Sequence, residues 1–311
     1  MDPSNNSLSE KIACPVHKTA FADDLFCSSC NKKYPSINGI PILINDTNSI
    51  FKTDSYVKNE SYEGASSYAG NLDNRTGVRN LYRKIIRYLS ETSSKREFSV
   101  KEALNTILDK LPQAEILVIG SGDTSIPGNT TYTDVAFGEN VQYIADAHDL
   151  PFLDNSFDAC IAIAVLEHVV DPYRCVDEIM RILRPSGYIY SEIPFMQPVH
   201  MGAYDFTRFS YLGHRRLFRY FEDIRSGMAG GCGTSAGQLL RYATASTSDK
   251  PHLRKWLKLF GLLITYPFRW LDHLSFSTHS AYDSASGFYF FGTLRQQPIS
   301  DRELIGFYRG G

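Results

Sequence analysis

Apolar positions along the chain follow two different periods. Leu104, Ile107, Leu108 and Leu111 recur at three- and four-residue steps and predict an amphipathic helix that ends at Pro112. Val78, Leu81, Ile85 and Leu89 form an earlier stripe of the same kind. From residue 115 the pattern changes to short apolar runs, "EILVIG", "TTYTDV", "VQYIAD" and "FDACIAIAV", broken by Gly, Pro, Asn and Asp. Runs of this length bounded by turn residues read as buried strands. "VDPYRCVDEIMRILRPSG" then predicts a helix with Val176, Ile179, Met180 and Leu183 on one face and Gly187 as its terminator. The next run, "YIYSEI", is a fifth strand. Strands alternating with helix predict a parallel sheet built of βαβ units.

Residues 12–46 follow neither period and carry Cys14-Pro-Val-His17 and Cys27-Ser-Ser-Cys30. Two intervening residues let both side chains of one turn reach a single ion, and two such turns complete a tetrahedron. Three thiols and an imidazole suit zinc, and a segment this small needs a metal to supply its folding free energy. Residues 47–76 are rich in Ser, Asn and Tyr without a period and read as a linker that decouples the metal segment from the sheet. "KKYPSINGIPILI" resembles the short zinc-ribbon family typified by the activator subunit of transfer-RNA methyltransferases. The resemblance implies a hairpin at Tyr34-Pro35 and Gly39-Ile40-Pro41. His17 stands where such ribbons often carry cysteine.

Composition narrows the function classes. The 311 residues carry a net charge of −2 and 21% charged residues, which argues against nucleic acid as a partner. The polar start, "MDPSNNSLSEK", and the lack of a run of about 18 uncharged apolar residues predict a cytoplasmic protein. "HLRKWLKLFGLLITYPFRWLDHLSF" (252–276) interleaves apolar and basic residues. It reads as a lid or dimer helix packed on the core, or as a peripheral membrane contact.

The chemistry collects at strand ends. The first run breaks into Gly120-Ser121-Gly122, the second ends at Asp134, the third at Asp146, and the fourth delivers Val165-Leu166-Glu167-His168. Any one of these is an ordinary turn. Four consecutive strand tips of this kind form a constellation, because open α/β sheets bind ligands outside the carboxyl ends of their strands.

That order, and above all "DAHDLPFLDNSFDACIAIAVLEHVVDPYRCVDEIMRILRPSGYIYSEIPF", resembles the class I S-adenosylmethionine-dependent methyltransferases over roughly residues 114–225. The resemblance implies an α/β, Rossmann-like sheet of seven strands with helices on both faces. Five strands would be parallel, order would reverse beside Gly120, and "EDIRSG" (222–227) with "GFYFFGTL" (287–294) would form an antiparallel end. The implied organisation is a zinc-ribbon segment 1–46, a linker 47–76 and a methyltransferase domain 77–311. Asp146 would accept the adenine amino group with Ala147 and His148 beside it. Asp134 would bind the ribose, Gly120, Ser121 and Gly122 would line the methionine end, Val165 would join the cofactor site, and Leu166-Glu167-His168 would leave the fourth strand beside the sulfonium.

Two departures from that family stand out. Val118 occupies the place of an acid that helps hold the methionine portion, and only nine residues separate Gly122 from Tyr132, too few for an ordinary crossover helix. Further on, "FMQPVHMGAYDFTRFSYLGHRRLF" resembles a bacterial subgroup found with surface-polysaccharide genes. His200 and Asp205, with His168 and His214, are the candidate bases for an acceptor. The leading reading is methyl transfer to a small-molecule or glycan acceptor. A catalytically impaired partner-binding module and a ribosomal RNA methyltransferase remain alternatives.

Overall fold

The computed structural model describes residues 11–59, 96–122 and 124–311. The stripe at Val78–Leu89 lies outside them. The predicted helix is α2 (Val100–Lys110), preceded by the short helix α1 (Thr53–Val57). Glu102 closes a capping box, its carboxylate accepting the Ser99 N–H at 2.8 Å. Ala103, Leu104 and Ile107 are buried, whereas Leu111 is the exposed C-cap.

The parallel strands are β5 (Glu115–Ile119), β6 (Asn129–Asp134), β7 (Tyr143–Ala145), β8 (Phe157–Ile163) and β9 (Leu183–Pro194). They are ordered β7-β6-β5-β8-β9, so the order reverses at β5, beside Gly120. β10 (Phe221–Gly230) and β11 (Gly287–Leu294) complete the expected seven, with β11 antiparallel between β9 and β10. Helix α3 (Pro172–Ile182) connects β8 to β9, with Asp171 capping it through the Arg174 N–H at 3.1 Å. Gly187 does not terminate this helix, as the sequence suggested. It lies within β9 at a register shift, where a Cβ would meet the Arg184 carbonyl at 2.9 Å. Among the described residues no helix joins β5 to β6, in keeping with the short spacing read in the sequence.

Among the described residues the sheet has nine strands rather than seven. The N-terminal segment supplies β3 (Ser36–Ile37) and β4 (Ile40–Leu43), and β4 pairs in parallel with β7 through Ile42↔Ile144 and Leu43↔Ala145. A separate hairpin, β1 (Phe26–Cys27) with β2 (Lys32–Lys33), carries the second metal knuckle. The expected decoupling of residues 12–46 is therefore corrected. Cys14, Cys27 and Tyr34 share one core with Leu150, Phe152 and Ile179, and Lys18 pairs with Glu178 at 2.8 Å. The cause is visible in the sequence "IPILI": its apolar residues have nowhere to be buried within a 35-residue ribbon, and the edge of β7 covers them.

The described part of the expected linker also packs. Phe51 and Tyr56 join Ile42, Ile44 and Ile144 in a small core at the β4 edge. Beyond β10 come α4 (Tyr211–Leu217), which precedes it in the chain, and then α5 (Cys232–Ala245), α6 (Pro251–Thr265) and α7 (Leu271–Ser275). A final short helix is α8 (Asp301–Ile305).

Candidate cofactor cleft and metal-ligand clusters

The two N-terminal knuckles converge. Each ends in a residue with left-handed backbone, Lys18 (φ 56°) after His17 and Asn31 (φ 52°) after Cys30. The Cys14 sulfur lies 3.7 Å from His17 Nδ1 and 3.8 Å from the Cys30 sulfur, and the Cys27 sulfur 3.9 Å from His17 Nδ1. A tetrahedral zinc with bonds of about 2.3 Å to sulfur and 2.0–2.1 Å to nitrogen separates its ligands by about 3.6–3.8 Å, so the residues fit that ion. The Tyr34 hydroxyl stands 3.4 Å from the Cys14 sulfur as an outer partner. Against its burial, backbone N–H groups of Cys30 and Ser29 help draw the Cys27 thiol down to about 6.

A cleft of about 690 Å³ opens at the carboxyl ends of β5, β6, β7 and β8. Gly120 forms its floor with φ +61°, and a Cβ there would come within 2.4 Å of a Val165 methyl. Gly122 donates its N–H to Asp134 Oδ2 at 2.8 Å, and Ala136 donates to Oδ1 at 2.9 Å, so the glycine loop and the tip of β6 form one unit. Asp146 is buried. It accepts from the His148 backbone at 3.0 Å, from His148 Nδ1 at 2.6 Å and from the Ser49 hydroxyl. Burial alone would raise its pKa, but the hydrogen bonds and charge of His148, with Ser49, hold the carboxyl below its usual range. His148 Nε2 accepts the Asp171 N–H at 3.0 Å, which leaves its proton on Nδ1 facing Asp146. Ala147 and Val165 also line the cleft. Ser121 does not: its hydroxyl is buried without a partner among the described residues.

Several cleft residues escaped the sequence reading. Ile50 and Phe51 come from the expected linker, where Ser49 bonds to Asp146, and Phe51 stacks on Tyr204 with centroids 5.9 Å apart. Arg96 pairs with Glu192 at 2.6 Å, both lining the cleft. Val118, where the family has its acid, is buried in the apolar layer between β5 and α2. The one available signal was "SEIP": an acid in the fifth strand.

The acceptor candidates gather opposite the glycine loop. Glu167 is fully buried, no donor from another residue reaches either carboxylate oxygen among the described residues, and burial pushes its pKa up to about 8. His168 Nδ1 donates to the Tyr204 carbonyl at 2.7 Å, and burial holds this imidazole down at about 4. Its Nε2 faces His200 Nε2 at 3.0 Å and a Glu167 oxygen at 3.6 Å. His200 Nε2 lies 3.9 Å from the same oxygen, and its Nδ1 lies 3.4 Å from Asp205 Oδ2. Arg208 binds the Asp205 carboxylate, with Nη2 2.7 Å from Oδ2. His168 and His200 line the cleft; Asp205 stands one step behind His200. His214, also a candidate, is corrected. It is buried against Phe218 and held to Ser191 at 3.1 Å, and burial drops its pKa to about 3.

Residues 129–191, the span from β6 into β9, match the methyltransferase domain family. Over that span the chain is similar to a methyltransferase domain. It is 38% identical over 90 residues to the ubiquinone/menaquinone biosynthesis C-methyltransferase UbiE of Hahella chejuensis, covering 27% of this chain and 35% of that protein. The UbiE of Saccharophagus degradans is 32% identical over 146 residues, or 45% of this chain and 50% of that protein. The chain thus spans about a third to a half of these curated relatives. Solved structures align over more of it at lower identity. The complex of the Haloferax volcanii Trm112 methyltransferase activator with a methyltransferase covers 70% of this chain and 94% of the matched chain, at 16% identity and a TM-score of 0.39. A Thermotoga maritima S-adenosylmethionine-dependent methyltransferase covers 70% and 97%, at 15% identity and the same TM-score of 0.39. The family match over residues 129–191 is in keeping with the methyltransferase resemblance read in the sequence.

Proposed function

We propose that the chain is an S-adenosylmethionine-dependent methyltransferase acting on an oxygen of a small-molecule or glycan acceptor. The observation that carries this is the cleft itself: Gly120, pressed against Val165, shares one space with the acid tips Asp134 and Asp146. Its volume, about 690 Å³, is in the range of small-molecule sites. Asp146 presents its carboxylate to the adenine, held in place by His148 and Ser49, and Asp134 orders the ribose end. Glu192 and Arg96 replace the family acid missing at Val118, a carboxylate for the cofactor's ammonium and a guanidinium for its carboxylate. When bound, S-adenosylmethionine supplies a methyl group already activated on a sulfonium, so the protein's main task is alignment. His200, backed by Asp205, faces the acceptor side.

The knuckle cysteines and His17 hold one zinc, which fixes the N-terminal segment and so the Ser49–Phe51 wall of the cleft. The UbiE relatives are named for carbon methylation of quinone precursors. The polar acceptor side here favours an oxygen. The exposed apolar residues of α6 and α7, Trp256, Leu263 and Leu274 among them, make a peripheral membrane contact the second part of the reading, suited to a lipid-linked acceptor.

Calorimetric titration with S-adenosylmethionine and S-adenosylhomocysteine tests the reading. Binding that Asp146→Ala and Arg96→Ala each weaken by at least tenfold, about 1.4 kcal/mol, supports it. An absence of binding at millimolar ligand would leave the partner-binding module as the function.

A further inference from the structure

We propose that Glu167, His168 and His200 form a second metal site, for a divalent first-row transition cation, at the acceptor end of the cleft. Three donor atoms point at one space: His168 Nε2, His200 Nε2 and a Glu167 oxygen, with edges of 3.0, 3.6 and 3.9 Å. Ligands about 2.0–2.1 Å from a common ion stand about 3.0 Å apart in an octahedron and about 3.4 Å apart in a tetrahedron. The triangle brackets both values and closes onto an ion with side-chain motion alone.

The surroundings are those of a built site. His168 has an acceptor at its far nitrogen, the Tyr204 carbonyl 2.7 Å from Nδ1, whereas His200 Nδ1 lies 3.4 Å from Asp205 Oδ2 and 3.5 Å from Arg208 Nη2. The carbonyl puts the His168 proton on Nδ1 and its lone pair on Nε2, as a metal requires. Arg208 in turn anchors Asp205. Glu167 provides the second, independent observation. Its carboxyl is wholly buried and, among the described residues, no other residue's donor reaches it. Hydrogen bonds to the two histidines do not explain it, because 3.6 and 3.9 Å exceed hydrogen-bond range. The guanidinium of Arg208 does not explain it either, being held by Asp205. A cation within the triangle satisfies the orphaned carboxylate and separates two imidazole nitrogens that otherwise face each other.

Two imidazoles and one carboxylate select Zn²⁺, Co²⁺, Fe²⁺ or Mn²⁺ over Mg²⁺ and Ca²⁺, which prefer oxygen ligands. His200 is partly exposed to the cleft, so the remaining coordination positions face the acceptor. An acceptor oxygen fills one of them. This last step rests on the methyltransferase reading; the metal site does not.

The test uses the full-length, zinc-loaded protein titrated with Co²⁺ and followed by visible absorption and elemental analysis. The wild type is expected to hold zinc at the thiolates and one Co²⁺ with weak d–d bands free of sulfur charge transfer. Glu167→Gln and His200→Ala should lose those bands while keeping one zinc and an unchanged circular dichroism spectrum. Asp205→Asn, a positioning change, should weaken Co²⁺ by about 10- to 100-fold. The proposal is overturned if the wild type takes up no second ion at millimolar Co²⁺, if the bands are those of thiolate, or if Glu167→Gln binds as the wild type does. Co²⁺ uptake by a protein that fails to bind S-adenosylmethionine would uphold the site and refute the methyltransferase reading alone.

Discussion

Gly120 tolerates no side chain. Its φ of +61° strains any other residue, and an alanine Cβ would stand 2.4 Å from Val165. Gly120→Ala is expected to cost about 1–3 kcal/mol in urea unfolding. Adding Val165→Ala should recover the packing part but not the backbone part. Val118 illustrates the opposite case. Restoring the family acid there would place a carboxylate in an apolar layer without a partner, so Val118→Asp should lower the melting temperature rather than rebuild the site. Asp146 gives a pH signature. Its folded pKa lies below the ordinary carboxylate value, so its stabilisation is complete above that ordinary value and is lost as pH falls through the folded one. Urea midpoints measured from pH 5 to pH 2 should fall less steeply in Asp146→Asn than in the wild type. Equal slopes would mean that Ser49 and His148 do not stabilise the ionised form.

At the scale of elements, the ribbon and the sheet share side chains. Chelation of zinc, or Cys27→Ser with Cys30→Ser, should release one zinc by elemental analysis and lower the single thermal transition of the whole chain. An unchanged transition for the sheet would show that β4 pairs too weakly to couple them. This coupling is what the sequence did not reveal. The strands β5, β7 and β8 were legible because they are buried on both faces and so read as apolar runs bounded by turns. The knuckles were legible by spacing. The pairing of β4 was not, because four apolar residues, "IPIL", say only that they need cover and not which edge supplies it. Ser49 and Phe51 were hidden for the same reason: a polar, aperiodic stretch gives no sign that it folds over a cleft. Glu167 and His168 were read as a strand end, and only the fold brings His200, 32 residues on, to within 3.0 Å.

On the scale of the whole molecule, the described helices are too short and too polar to cross a membrane. Helix α6 buries Gly261, Leu262 and Thr265 against α5 and turns Trp256, 68% exposed, outward beside basic residues. Co-sedimentation with anionic vesicles should retain the wild type and lose Trp256→Asp with Phe260→Asp, while S-adenosylmethionine binding by the two is equal. Sedimentation of neither protein would leave this face to a lid or dimer contact.

The parallel pairing of β4 with β7 also sets an order of events during synthesis. Ile42 leaves the ribosome long before Ile144, its partner about a hundred residues later, is made. The knuckles can close on zinc at once, because their ligands are local, but the strand they carry must wait with a bare backbone edge. During that interval the nascent chain presents an apolar strand on a folded ribbon, a template for wrong pairing. Zinc availability and chaperone supply during translation, rather than the stability of the finished protein, would then govern how much of it is made correctly.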